Sequence, residues 1–195
     1  MNRQHLESLS SPAWAQMLET NLLPWLAEVT ELGDDVLEIG PGPGLTTDLL
    51  RQRAARVTAV EIDPSLATAL ADRLRDTNVE VVHGDAGRTG LAPDRFSTAT
   101  CFAMLHHVPS VELQDRVLAE VHRVLRPAGC FLGTDAVESP AIRQAHVDDA
   151  YVPVDPDTLG ARLEAAGFAD VTVDVRDHAY RELRFHARKP RPTPA

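Results

Sequence analysis

Residues 36–50 read Val-Leu-Glu-Ile-Gly-Pro-Gly-Pro-Gly-Leu-Thr-Thr-Asp-Leu-Leu, and their chemistry is close backbone recognition of a ligand. Gly40, Gly42 and Gly44 remove side chains where the backbone must approach a bound molecule, and they permit dihedrals closed to other residues. Glu38 ends an apolar strand, and a helix begins at Leu45 or Thr46. The ligand therefore belongs at the carboxyl end of a first strand, against a helix N-terminus. Pro41 and Pro43 fix their φ angles and stiffen the turn. The competing reading is a strand–turn–helix loop with no ligand.

The spacing departs from the dinucleotide fingerprint Gly-x-Gly-x-x-Gly, because here the pattern is Glu-x-Gly-x-Gly-x-Gly. A carboxylate two residues before the first glycine would repel a pyrophosphate but suits a ligand with a positive amino group. This stretch resembles the first motif of the class I S-adenosylmethionine-dependent methyltransferases. The resemblance is strong over roughly Asp35–Asp135 and weak over the hairpin Phe168–Arg188, and it implies S-adenosylmethionine as cofactor. Glu61, about twenty residues after the turn, is positioned to accept hydrogen bonds from ribose hydroxyls. Asp63 is its rival, or else the cap of the next helix. Ile62 joins Glu61 in the expected cofactor set. Asp85 can take the adenine amino group while Ala86 leaves room for the ring, or Asp85 only stabilises its turn. In the resembling family the backbone after the fourth strand meets the methionine portion of the cofactor, which falls on Cys101–Ala103 with Phe102 preferred. The family commonly has an acid where Ser97 stands and a glycine where Ala128 stands.

Leu-His-His-Val at 105–108 and Val-His-Arg-Val-Leu-Arg-Pro-Ala-Gly at 121–129 look like the family's motifs after the fourth strand. Adjacent fourth and fifth strands bring His106, His107 and Asp135 to one mouth of the sheet. Sulfonium is an excellent leaving group, so methyl transfer needs chiefly in-line positioning. An alcohol or phenol acceptor gains from a base, and His106 is the candidate, with Asp135 as orienting partner or substrate anchor. Alternatively both histidines cap a helix or pack under the sheet. A metal reading of His106, His107 and Asp135 is also open, but such scattered ligands are a weak signal and no metal is assigned.

These residues need a scaffold that alternates strands with helices. Strands are expected at 36–38, Arg56–Ile62, Val79–His83, Phe96–Phe102 and Cys130–Thr134, with helices at Pro64–Arg75 and Val111–Leu125 between them. Arg126-Pro127-Ala128-Gly129 reads as a helix stop. After a proline-bearing loop or short helix at Ser139–Asp157, a helix at Pro156–Ala166 stops at Gly167. Phe168–Val175 and Tyr180–Arg188 are then joined too tightly to cross over, so they are antiparallel. The expected fold is α/β: a doubly wound Rossmann-like sheet of about seven strands, mostly parallel, with a C-terminal antiparallel hairpin and helices on both faces. Residues 1–30 are expected to form a helical cap, 31–188 the methyltransferase domain and 189–195 a disordered tail. In the cap, Pro24 should break or kink the apolar pattern, with Asn21 as a new cap. The apolar residues of the cap pack on the sheet or also cover the substrate pocket.

The chain has 195 residues and a net charge of −10, with Lys189 its only lysine. That charge argues against a phosphate-gripping nucleic-acid partner and favours a small-molecule acceptor. Cys101 and Cys130 fit neither a disulfide framework nor a paired metal motif. No apolar leader or membrane-length stretch is present, which predicts a cytoplasmic protein with no membrane association, monomer or homodimer. Three other readings stay open: a regulatory cofactor binder, a relative with other sulfonium chemistry, and a nicotinamide oxidoreductase, the last disfavoured by Glu38 and the glycine spacing.

Overall fold

A computed structural model of the chain describes residues 6–7, 9–177 and 181–192. Seven strands form one sheet in the order β3-β2-β1-β4-β5-β7-β6. They are β1 (Asp35–Ile39), β2 (Arg56–Glu61), β3 (Val79–His83), β4 (Phe96–Phe102), β5 (Leu125–Ala136), β6 (Ala169–Asp177) and β7 (Arg181–Arg188). β1 to β5 pair in parallel, whereas β7 runs antiparallel between β5 and β6. Residues 178–180, which cover the end of the expected connection and the first residue of the last expected strand, lie outside the described residues. The strand order reverses beside β1, between β1 and β4, which is where open α/β sheets bind ligands.

Both faces of β1 are covered, as its unbroken burial shows. Leu37 and Ile39 join an apolar layer with α5 (Val111–Val124) and α7 (Pro156–Ala165). Val36 faces the other layer, built with the N-terminal helices and α3 (Leu45–Leu50). A smaller cluster packs Leu70 of α4 (Pro64–Arg73) against Ala59 of β2.

The N-terminal helices differ from the expectation. α1 (Pro12–Met17) is capped by the Ser11 hydroxyl, which accepts from Trp14 N–H. It runs through a π-helical turn, Leu18–Leu22, into α2 (Leu23–Val29), so Asn21 lies inside the turn and caps nothing. Pro24 cannot donate back and would crowd the preceding carbonyl. Widening the turn, with Leu23 N–H donating to Leu18 O, absorbs it without ending the helix. Leu18, Leu22, Trp25 and Leu26 are all buried against the sheet.

β5 also begins earlier than expected. The preceding helix does end there, at Val124, but Arg126–Gly129 are already strand, and Phe96 pairs with Leu125 before a register shift. The irregularity places Ala128 at φ +67, a left-handed conformation that costs a non-glycine residue about 1–2 kcal/mol. Lys189, expected in a disordered tail, is bound instead: its ammonium donates to Asp94 and Leu125 O, and its backbone pairs with Ala128 and Gly129. Residues 193–195 lie outside the described residues. Ser97, where the resembling family commonly has an acid, ties the start of β1 to β4, its hydroxyl donating to Leu32 O or Asp35 O and accepting from Asp35 N–H.

Candidate active site

The glycine turn sits at the carboxyl end of β1, and its three glycines adopt positive φ, with Gly40 at +66 and Gly42 at +54. Their reasons differ. A Cβ on Gly40 would clash with the Met104 side chain, so Gly40 makes room for the chain after β4. A Cβ on Gly42 would meet nothing within 4 Å, and Gly42 lines a cavity of about 870 Å³. Gly42 therefore keeps open space clear at the cavity wall.

Glu61 is buried at the end of β2 and lines the same cavity. Its Oε2 accepts from Gly42 N–H at 3.0 Å and its Oε1 from Asp63 N–H at 3.0 Å. A carboxylate has about four acceptor sites, so two remain for a ligand's hydroxyls. Asp63 also lines the cavity, but its carboxylate caps α4 by accepting from Ser65 and Leu66 N–H. Ile62 is 68% exposed at the cavity wall, an apolar surface open to a flat ring. Asp85 and Ala86 follow β3 and line the cavity, with Asp85 Oδ1 accepting from Gly87 N–H at 2.8 Å. Phe102 lines it from the end of β4, followed by Ala103 at φ +49. Such left-handed strain in a non-glycine residue concentrates at functional sites.

Glu38 is placed differently. It is fully buried, on the face of β1 that packs against α3, and is not among the residues lining the cavity. Thr47 of α3 donates its hydroxyl to Glu38 Oε2 at 2.6 Å. Glu38 thus ties the strand before the glycine turn to the helix after it. Loss of hydration pushes its carboxyl up to about 7, against the hydrogen bonds from Thr47 and Thr46.

His106 and Asp135 do come together, with Nδ1 2.5 Å from Asp135 Oδ1 and the backbone N–H of His106 donating to Oδ2 at 3.2 Å. Both are buried, however, and neither lines the cavity. The Nε2 of His106 faces Nε2 of His146 at 3.0 Å instead. His106 is therefore not placed to take a proton from a molecule in the cavity. His107, one residue on, lines it. The rest of the cavity wall includes Met104, Val108, Leu113, Arg116 and Val117, and Leu6, Leu9 and Trp14 from the N-terminal segment. The helical pattern of Leu113 and Val117 looks like ordinary core in the sequence, and nothing in Leu6 or Leu9 points to a cavity across the sheet.

Comparison with known proteins agrees with this geometry. A family model described as a methyltransferase domain matches residues 37–133, about half of the chain. A crystal structure of an S-adenosylmethionine-dependent methyltransferase from Archaeoglobus fulgidus superposes with TM-score 0.77 at 15% identity, covering 96% of this chain and 100% of that one. Haemonchus contortus phosphoethanolamine N-methyltransferase 2, in complex with phosphomonomethylethanolamine and S-adenosylhomocysteine, gives TM-score 0.73 at 16% identity over 91% of this chain and 53% of that one. Ribosomal RNA small subunit methyltransferase A of Streptococcus pneumoniae is 46% identical over 79 residues, 39% of this chain and 27% of that protein. The match thus spans about a quarter of that relative's length. With its glycine turn, its acid at the end of β2 and its inserted antiparallel β7, the chain belongs to the class I S-adenosylmethionine-dependent methyltransferases.

Proposed function

We propose that this methyltransferase acts on a small-molecule acceptor bound beside the cofactor in one cavity. The observation that carries the reading is the continuity of that cavity: about 870 Å³ lined by the glycine turn at one end and by His107, Leu113 and Arg116 at the other. That volume is within the range of small-molecule sites, about 300–1,000 Å³. S-adenosylmethionine supplies a sulfonium-bound methyl group for attack by an acceptor nucleophile.

The residues present suit that cofactor. Gly40 and Gly42 let the backbone approach it, and Glu61 offers its remaining acceptor sites to ribose hydroxyls. Ile62, Asp85 and Ala86 take the adenine, and Phe102 and Ala103 meet the methionine portion. Glu38 supports the site through Thr47, holding the ends of the turn together. Catalysis by these groups is chiefly binding and orientation. His106 and Asp135 act from behind the cavity by orienting the neighbouring histidines. Residues 1–30 serve as the cap, with Leu6, Leu9 and Trp14 excluding water from the acceptor end, and 31–188 carry the transfer reaction. No described helix is long and apolar enough to cross a membrane. Two buried free cysteines accord with a cytoplasmic setting.

A second reading is an RNA acceptor, favoured by the partial match to the ribosomal RNA enzyme. The net charge of −10 weighs against it, because phosphate recognition calls for a basic surface. The two are separated by supplying methyl-labelled S-adenosylmethionine with either pooled small alcohols, phenols and amines or small-subunit ribosomal RNA. Label in a small product supports the proposal, whereas label only in RNA overturns it.

A further inference from the structure

We propose that His106, His107 and His146 form a binding site for a divalent transition-metal ion of the zinc class, with Asp135 as its outer partner. His106 and His107 lie in the short 3₁₀ turn after β4 (Leu105–His107), and His146 ends α6 (Pro140–Ala145), forty residues away in sequence. One ring nitrogen from each of the three lies within 4.8 Å of the others.

The hydrogen bonds fix which nitrogens face inward. His106 Nδ1 meets Asp135 Oδ1 at 2.5 Å, His146 Nδ1 meets Ile142 O at 2.7 Å, and His107 Nδ1 meets Ala150 O at 3.3 Å. Carbonyl and carboxylate oxygens only accept, so each ring carries its hydrogen on Nδ1. A neutral imidazole has one N–H, which leaves a lone pair on every Nε2. Two of these lone pairs, on His106 and His146, confront each other at 3.0 Å. They repel unless a positive charge lies between them.

A shared proton could serve two rings, but a third histidine beside them and an Nδ1–H acceptor behind each is the arrangement that orients imidazoles toward a metal. Zinc–nitrogen bonds of about 2.0–2.1 Å separate tetrahedral ligands by roughly 3.3 Å; His106 and His146, 3.0 Å apart, already stand near that spacing, and His107 closes on them from within 4.8 Å. Three neutral nitrogen donors suit zinc, cobalt, nickel or copper and not magnesium or calcium, which require oxygen. Tyr151 stacks on His146 with centroids 4.6 Å apart. Its buried hydroxyl has no hydrogen-bond partner among the described residues. Three protein ligands leave a coordination position open, as in catalytic zinc sites. His107 is the ligand that lines the acceptor end of the cavity.

The test uses the full, untagged, metal-stripped protein titrated with Co²⁺ alone, read by its visible ligand-field absorption, followed by competition with Zn²⁺. The expected result is one equivalent of Co²⁺ with intense, four-coordinate-type bands that Zn²⁺ displaces. His146→Ala should abolish the bands, and Asp135→Asn should weaken the affinity about 10–100-fold. Absence of stoichiometric binding in the wild-type chain overturns the proposal whatever the variants do, as does unchanged affinity in a folded His146→Ala. S-adenosylmethionine binding by the stripped protein, measured in parallel, separates failure of the metal site from failure of the methyltransferase reading.

Discussion

Glu38→Gln should make the protein's stability less sensitive to pH, in a direction opposite to ordinary carboxylate behaviour. Burial raises the Glu38 carboxyl from 4.5 to about 7, with Asp48 and Glu61 adding repulsion and the hydroxyls of Thr47 and Thr46 opposing. In the unfolded chain it titrates near 4.5. Between those two values the unfolded chain has released a proton that the native protein retains, so stability falls as pH rises, and the penalty is complete above the folded value. At 1.36 kcal/mol per unit the full penalty is about 3 kcal/mol. About 2–3 kcal/mol of it accrues between roughly pH 5 and pH 8. Glutamine keeps the shape and can accept from Thr47 but does not titrate. Urea unfolding of both proteins across this range isolates the effect, because any fixed cost of the buried amide cancels in the difference. The stability of Glu38→Gln relative to wild type should rise by about 2–3 kcal/mol from low to high pH. A difference that does not change with pH refutes a protonated, buried Glu38. Loss of cofactor binding with normal stability would return Glu38 to direct ligand contact.

Other consequences follow from the same geometry. Glu61→Ala removes the acceptor for Gly42 and for a ribose, and should weaken S-adenosylmethionine binding by about 1.5–3 kcal/mol in calorimetry. Gly42→Val, at φ +54 beside open cavity space, should abolish cofactor binding in equilibrium dialysis, and unchanged affinity would remove the turn from the site. Ala128→Gly relieves the strain at φ +67. Set against glycine's entropy cost, it should stabilise the protein by about 0.5–1 kcal/mol and raise Tm by a few degrees in thermal unfolding.

Much of the proposed cofactor end of the cavity is legible in the sequence as cavity lining because it depends on local rules. A turn with three glycines needs positive φ, an acid ending β2 lies beside it in a parallel sheet, and Asp85 follows β3 by the same logic. The strand–helix rhythm likewise points to a parallel sheet, and the short spacing of the last two strands to their antiparallel pairing, but not to the insertion of β7 beside β5. The misread elements depend on partners distant in sequence. Pro24 looks like a helix break because only the three-dimensional turn shows that a π-helical widening can absorb it. Arg126-Pro127-Ala128-Gly129 follows the end of the helix as its composition implies, but its pairing with Lys189 as part of β5 is not visible in the sequence. Glu38 reads as a ligand contact, but strand alternation turns it toward α3 and Thr47. His146 stands forty residues from His106 in a polar segment, and no periodicity joins them. The acceptor end is the least legible, since it draws on the N-terminal segment, the 3₁₀ turn and the loop at Ala150, elements that share no sequence pattern.

Calorimetric titration of the purified protein with S-adenosylmethionine, S-adenosylhomocysteine and NAD tests the central claim most directly. Saturable one-to-one binding of the two adenosyl sulfur compounds, no binding of NAD, and loss of both heats in Gly42→Val are the results expected of a methyltransferase site built on this turn. Binding of NAD in their place, or adenosyl binding that survives Gly42→Val unchanged, would contradict it.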